Sequence, residues 1–90
     1  MDTNLQIGDV VRSLLGHDQN RLFIVVGIDK NGYLAIIDGK YRKKDCPKLK
    51  NPKHLEKVCH DEEILSKFNS PIATNAEIYK MIKKHNQIKE

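Results

Sequence analysis

Cys46, His54, Cys59 and His60 place four side chains able to ligate a metal within fifteen positions. Structural zinc sites draw their ligands as close pairs, about two to four residues apart. Here twelve residues separate the two cysteines, and the adjacent Cys59 and His60 are poorly disposed to bind one ion. The spacing predicts no metal and no other cofactor, with Cys59 a small residue at a junction of elements and His54 a loop residue. Neither a CxxC pair nor a disulfide framework is present, so Cys46 and Cys59 read as free thiols. Nucleophilic catalysis needs a base, an orienting group and a pocket, which a small filled fold offers poorly. His17 and Asp18 are neighbours on a polar turn, and no glycine-rich phosphate loop or nucleophile elbow occurs. No catalytic residue and no small-molecule substrate are expected.

The charge is more informative. The 90 residues carry a formal net charge of +4. Residues 39–58 hold eight basic side chains, Lys40, Arg42, Lys43, Lys44, Lys48, Lys50, Lys53 and Lys57, against Asp45 and Glu56. That segment is therefore +6 and the rest of the chain −2. Positive charge gathered into one stretch is the footprint of a polyanion binder, whereas the same charge spread evenly would only solvate a surface.

These side chains have to be held by elements that the residue pattern outlines. Residues 8–16 (GDVVRSLLG) read as a strand entering a turn, and residues 17–21 (HDQNR) continue that turn. Residues 22–29 (LFIVVGID) are apolar almost without interruption, which suits a strand buried on both faces. Gly27 within it predicts a bend or bulge. Asn31-Gly32 predicts a hairpin turn into a strand over residues 33–37, and Asp38-Gly39 a second turn into Tyr41-Arg42. Pro47 and Pro52 keep the next stretch irregular and non-helical, and residues 55–58 suit a closing strand.

The last third changes character. Asp61 is placed to cap a helix through Ile64, Leu65 and Phe68, ended by Asn69-Ser70-Pro71. Thr74 and Glu77 have capping-box spacing before a helix that sets Ile78, Met81 and Ile82 on one side. Lys83, Lys84 and Lys89 suit the negative end of its dipole. The expected architecture is mainly β with C-terminal α: a small β-barrel over residues 1–59, then two short helices over residues 60–90 packed on it as one compact domain. Hydrophobic residues make up 39% of the chain, enough for one modest core. No apolar run approaches a membrane span, and residues 1–9 have no signal-peptide pattern, so a cytoplasmic protein is expected.

The entering Gly8-Asp9, Val11, the turn glycine Gly16, Arg21 and the apolar strand after it together resemble a KOW motif. NRLFIVVGID (residues 20–29), DGKYRKKD (38–45), CPKLKNPKHL (46–55) and TNAEIYKMIKK (74–84) extend the likeness over nearly the whole chain. Together they are similar to the large-subunit ribosomal protein fourteen-e family. The sequence departs at Asn20, where that pattern has glycine; asparagine is the mildest replacement because it too visits positive φ. The resemblance implies an SH3-like (KOW) barrel that contacts RNA through its KOW turn and neighbouring basic loop. On this sequence those residues are Arg12, Gly16, His17, Gln19, Asn20 and Arg21 in the turn. In the loop they are Lys40, Arg42, Lys43, Lys44, Lys48, Lys50, Lys53 and His54. The implied partners are ribosomal or other structured RNA and ribosomal proteins. With aromatic stacking limited to Tyr33, Tyr41 and Tyr79, recognition of backbone and shape is expected over base readout. The alternative reading is a protein-interaction module that binds a transcription or translation partner through apolar barrel faces or the acidic helix.

Overall fold

A computed structural model describes residues 5–87. In chain order it contains β1 (Asp9–Ser13), β2 (Leu22–Ile28), β3 (Leu34–Ile37), β4 (Lys48–Lys50), a 3-10 turn (Pro52–His54), β5 (Leu55–His60), α1 (Glu62–Asn69) and α2 (Asn75–Gln87). The strands form one antiparallel sheet in the order β4-β3-β2-β1-β5, followed by the two helices.

The turns follow from side chains that satisfy local backbone. Asp29 Oδ1 accepts from the N–H groups of Asn31 and Tyr33, both at 2.9 Å, closing the β2–β3 hairpin. Asp38 Oδ1 gathers three N–H groups, those of Lys40, Tyr41 and Arg42. That concentration of bonds makes residues 38–42 a self-contained turn, and Tyr41-Arg42 does not continue as the strand its sequence suggests. The partner of β3 is instead β4, in the lysine-rich stretch expected to be irregular, pairing Leu34 with Lys50 and Ile36 with Lys48. Pro52 keeps Asn51 extended, as expected, yet itself opens a 3-10 turn, because a proline at the first position sacrifices no bond.

β4 and β5 are the edges of the sheet and do not pair, so the sheet is open. It is nevertheless strongly curled, for a reason of reach. Five flat strands would hold their outer members about 19 Å apart at ~4.8 Å per step. Residues 51–54 alone connect them, and three of these form a 3-10 turn rising only about 2 Å per residue. The edges must therefore approach one another at this end. Register shifts at Val10/Val11 and between Val25 and Gly27 supply local bends, the second where Gly27 predicted one.

Curling divides the apolar residues by strand alternation. Val11, Phe23, Val25, Leu34, Ile36 and Leu55 form one core. Leu55 of β5 belongs to the same core as Leu34 and Ile36 of β3 although two strands lie between them, so this is the concave face. Val10, Leu22, Ile24 and Ile37 point the other way and pack on Ile64, Ile78 and Ile82 of the helices. β2 is thus covered on both sides, which accounts for its continuous apolar sequence.

The helices begin at their predicted caps. Asp61 Oδ1 accepts from Glu63 N–H at 3.0 Å and Ile64 N–H at 3.3 Å. Thr74 Oγ1 accepts from Glu77 N–H, and Glu77 Oε1 accepts from Thr74 N–H. α2 is seated on the 38–46 loop by two devices. Asn75 Oδ1 accepts from Lys44 N–H at 2.8 Å, while Lys44 Nζ donates to the carbonyls of Ser70 and Ala73. Gly39, at φ +84°, lets the turn lie so close that any Cβ would collide with Asn75 O and Tyr79 N.

Candidate nucleic-acid interface

The β1–β2 turn is built around a buried carboxylate. Asp18 is 5% exposed and accepts from Ser13 Oγ at 2.8 Å, Lys48 Nζ at 2.8 Å and Lys50 Nζ at 3.1 Å. Lys50 also donates to the Leu15 carbonyl. Burial by itself pushes the Asp18 carboxyl up; the bonds from Lys48, Ser13 and Lys50, with the Lys50 charge, more than reverse this and hold it far below the usual carboxylate range. Gly16 at φ +93° and Asn20 at φ +73° shape the turn, and asparagine tolerates the left-handed position it occupies. His17, Gln19, Asn20 and Arg21 are exposed on its outer side.

Across the sheet, the 38–42 turn sets Tyr41 beneath Arg21, whose guanidinium carbon lies 4.1 Å from the ring centroid. Tyr41 is 58% exposed. Lys40 Nζ lies 5.1 Å from the Tyr41 centroid and 5.5 Å from that of Tyr79 on α2, and Lys83 Nζ lies 5.7 Å from Tyr79. These separations are in the cation–π range. The Arg21–Tyr41 stack is a ridge between two hollows. One, of about 270 Å³, is walled by Asn20, Asp38, Tyr41, Tyr79 and Lys83. The other, of about 250 Å³, is walled by His17, Asp18, Arg42 and Lys48.

The structure thus brings His17, Asn20, Arg21, Lys40 and Arg42 together, with exposed Lys43 in the same loop. It turns three other basic residues inward: Lys44 holds the α1–α2 connection, and Lys48 and Lys50 neutralise Asp18. Arg12 faces Glu56 across β1–β5 at 3.6 Å, Lys53 and His54 lie in the 3-10 turn, and none of the three walls either hollow. Tyr41 and Tyr79, two of the three stacking candidates, complete the surface together with Asp38 and Lys83, which the sequence did not single out as contacts. The signals were slight: Tyr41 lies between two cations, and Tyr79 stands one turn before Lys83. Lys89 lies outside the described residues.

Elsewhere the histidines serve the fold. His85 Nε2 lies 2.8 Å from Asp61 Oδ2, and its Nδ1 lies 3.5 Å from Cys59 Sγ. A ring that donates from Nε2 and accepts the thiol proton at Nδ1 satisfies both contacts. The order resembles a nucleophile, base and orienter. Burial first, then the nearby Asp61 and Asp9 charges, however, push the Cys59 thiol up and away from the thiolate that nucleophilic chemistry requires. The trio ties the end of α2 to the start of α1. Cys46 is exposed, and among the described residues no group of three or more His, Cys, Asp or Glu side chains is arranged to hold a metal. No helix among them is long and apolar enough to cross a membrane. No protein-family model matches the sequence, and no curated protein matches it either.

Proposed function

We propose that the chain is an RNA-binding module of the translation apparatus, an SH3-like KOW barrel that visits or belongs to the ribosome in the cytoplasm. The barrel reading draws on the curled five-strand sheet and on a core whose buried residues all come from strands, with Leu5 packed against it. The RNA reading is carried by one observation: Arg21, Lys40, Arg42 and Lys83 converge around Tyr41 and Tyr79 on a single face. Cations neutralise phosphates and release counterions, while the rings and the Arg21 plane offer stacking surfaces suited to unpaired nucleotides.

The inward-turned lysines give this reading a sharp test. Substituting Lys40, Lys43 and Lys83 together by alanine removes three outward cations. Affinity for single-stranded RNA should fall, and the log-log salt slope should flatten by about 2, at ~0.7 per phosphate lost. Lys44→Ala removes the same kind of charge from an inward position, so it should lower thermal stability and leave that slope in place. A folded triple variant with unchanged affinity and slope would sink the proposal.

A further inference from the structure

The hollow between Tyr41 and Tyr79 has the chemistry of a base pocket, and its lining includes an acceptor the fold has not used. Asp38 is 3% exposed and lines the hollow. Its Oδ1 is saturated by the N–H groups of Lys40, Tyr41 and Arg42. Its Oδ2 takes no bond among the described residues, and no side-chain oxygen there is both sealed from solvent and unpartnered. A carboxylate fixed through Oδ1 by three backbone bonds thus lines the same hollow as the two rings, with its second oxygen free to accept. Tyr41 and Tyr79 both line the hollow, and Lys40 Nζ lies within 5.5 Å of both ring centroids, so the rings stand close enough for one planar group to touch both.

Resting on the RNA reading above, we infer that this hollow binds one unstacked guanine of single-stranded RNA, its base edge on Asp38 Oδ2 and its face on Tyr41 and Tyr79. Guanine presents N1–H and an N2 amino hydrogen side by side to a single acceptor. Uracil flanks its one ring N–H with two carbonyl oxygens, which a carboxylate repels. Adenine and cytosine offer one amino group beside a ring acceptor and stand between these extremes. Lys40 and Lys83, displaced from the ring faces, are then placed to meet the flanking phosphates. Duplex RNA does not enter, because its bases are stacked and paired.

Fluorescence anisotropy with labelled octauridine, and with the same oligonucleotide carrying one central guanosine, tests the assignment. The guanosine oligonucleotide should bind about tenfold tighter, the scale of one added charge-assisted hydrogen bond. Tyr79→Leu should weaken it by about five- to a hundred-fold, the range of one stacked base, and erase the preference. Asp38→Asn keeps an oxygen for the three N–H groups and replaces Oδ2 by an amide donor, so it should reverse the preference toward uracil. Should that variant fail to fold, Tyr79→Leu alone decides. Equal binding of both oligonucleotides, unchanged by Tyr79→Leu, overturns the base pocket and leaves RNA binding standing. Binding of neither oligonucleotide removes the RNA reading and the pocket with it.

Discussion

Asp18 and Lys48 stand thirty positions apart in the chain and 2.8 Å apart in the fold. Lys50 completes the arrangement from two residues further on, its side chain only 10% exposed. Asp18→Asn keeps the shape of the group and discards its charge, leaving two lysines converging on an amide. Breaking a buried pair in this way costs about 3 kcal/mol, read as a lower urea midpoint. The sign of the pH dependence follows from the depressed folded pKa. The contribution of Asp18 is present above the ordinary carboxylate value of about 3.9 and is lost as pH falls further. Asp18→Asn should therefore narrow its stability gap to the parent protein in strong acid; a gap that stays constant would show that the ion pair is not its source.

His60 makes the opposite prediction. It bridges Glu62 Oε2 and the fully buried Asp9 Oδ1, each at 2.7 Å. The bond to Glu62, then that to Asp9, raises the imidazole above its usual value of about 6.5. A group raised by folding stabilises fully below its unfolded pKa and loses that stabilisation as pH climbs through the folded one. Thermal melts run upward from about pH 6.5, the ordinary imidazole value, should thus show a declining Tm, and His60→Gln should flatten the decline. A parent Tm that is level across this range would refute the assignment.

The two cysteines should separate cleanly in thiol labelling. Cys46 is exposed, whereas Cys59 is half-buried beside His85 with a raised pKa. At mildly alkaline pH one thiol per chain should react quickly and the second only as the fold opens. Cys46→Ser should remove the fast phase entirely. Two fast thiols in the parent protein would mean that the contact between α2 and Cys59 does not persist in solution.

How much of this was legible in the sequence depended on the range of the interactions involved. β2, the Asn31-Gly32 hairpin, the Asp61 cap and the Thr74–Glu77 box announce themselves because each is decided within a few residues. β4 does not, because Lys48-Leu49-Lys50 has no strand signature of its own and is extended only by pairing with β3. Tyr41-Arg42 failed as a strand because Asp38 offered its backbone three bonds nearer at hand. The basic segment pointed to a charged surface, but the inward turn of Lys44, Lys48 and Lys50 depends on Ser70, Ala73 and Asp18, some thirty residues distant. Arg21–Tyr41 and Tyr41–Tyr79 proximity were hidden for the same reason, and with them the aromatic part of the site.

The close approach at Gly39 has a consequence for how binding and folding communicate. Tyr41 is carried by the sheet side of the molecule and Tyr79 by α2, and they share a wall only because the 38–42 turn seats directly on the helix. A chain with α2 undocked would keep every lysine of the basic loop and lose the wall made by Tyr79, Ile82 and Lys83. Docking of α2 and occupancy of the hollow are therefore linked equilibria, each favouring the other by the same free energy. An added Cβ at residue 39 would meet the backbone of Asn75 and Tyr79 rather than any ligand, and would weaken every binding event through the helix it displaces.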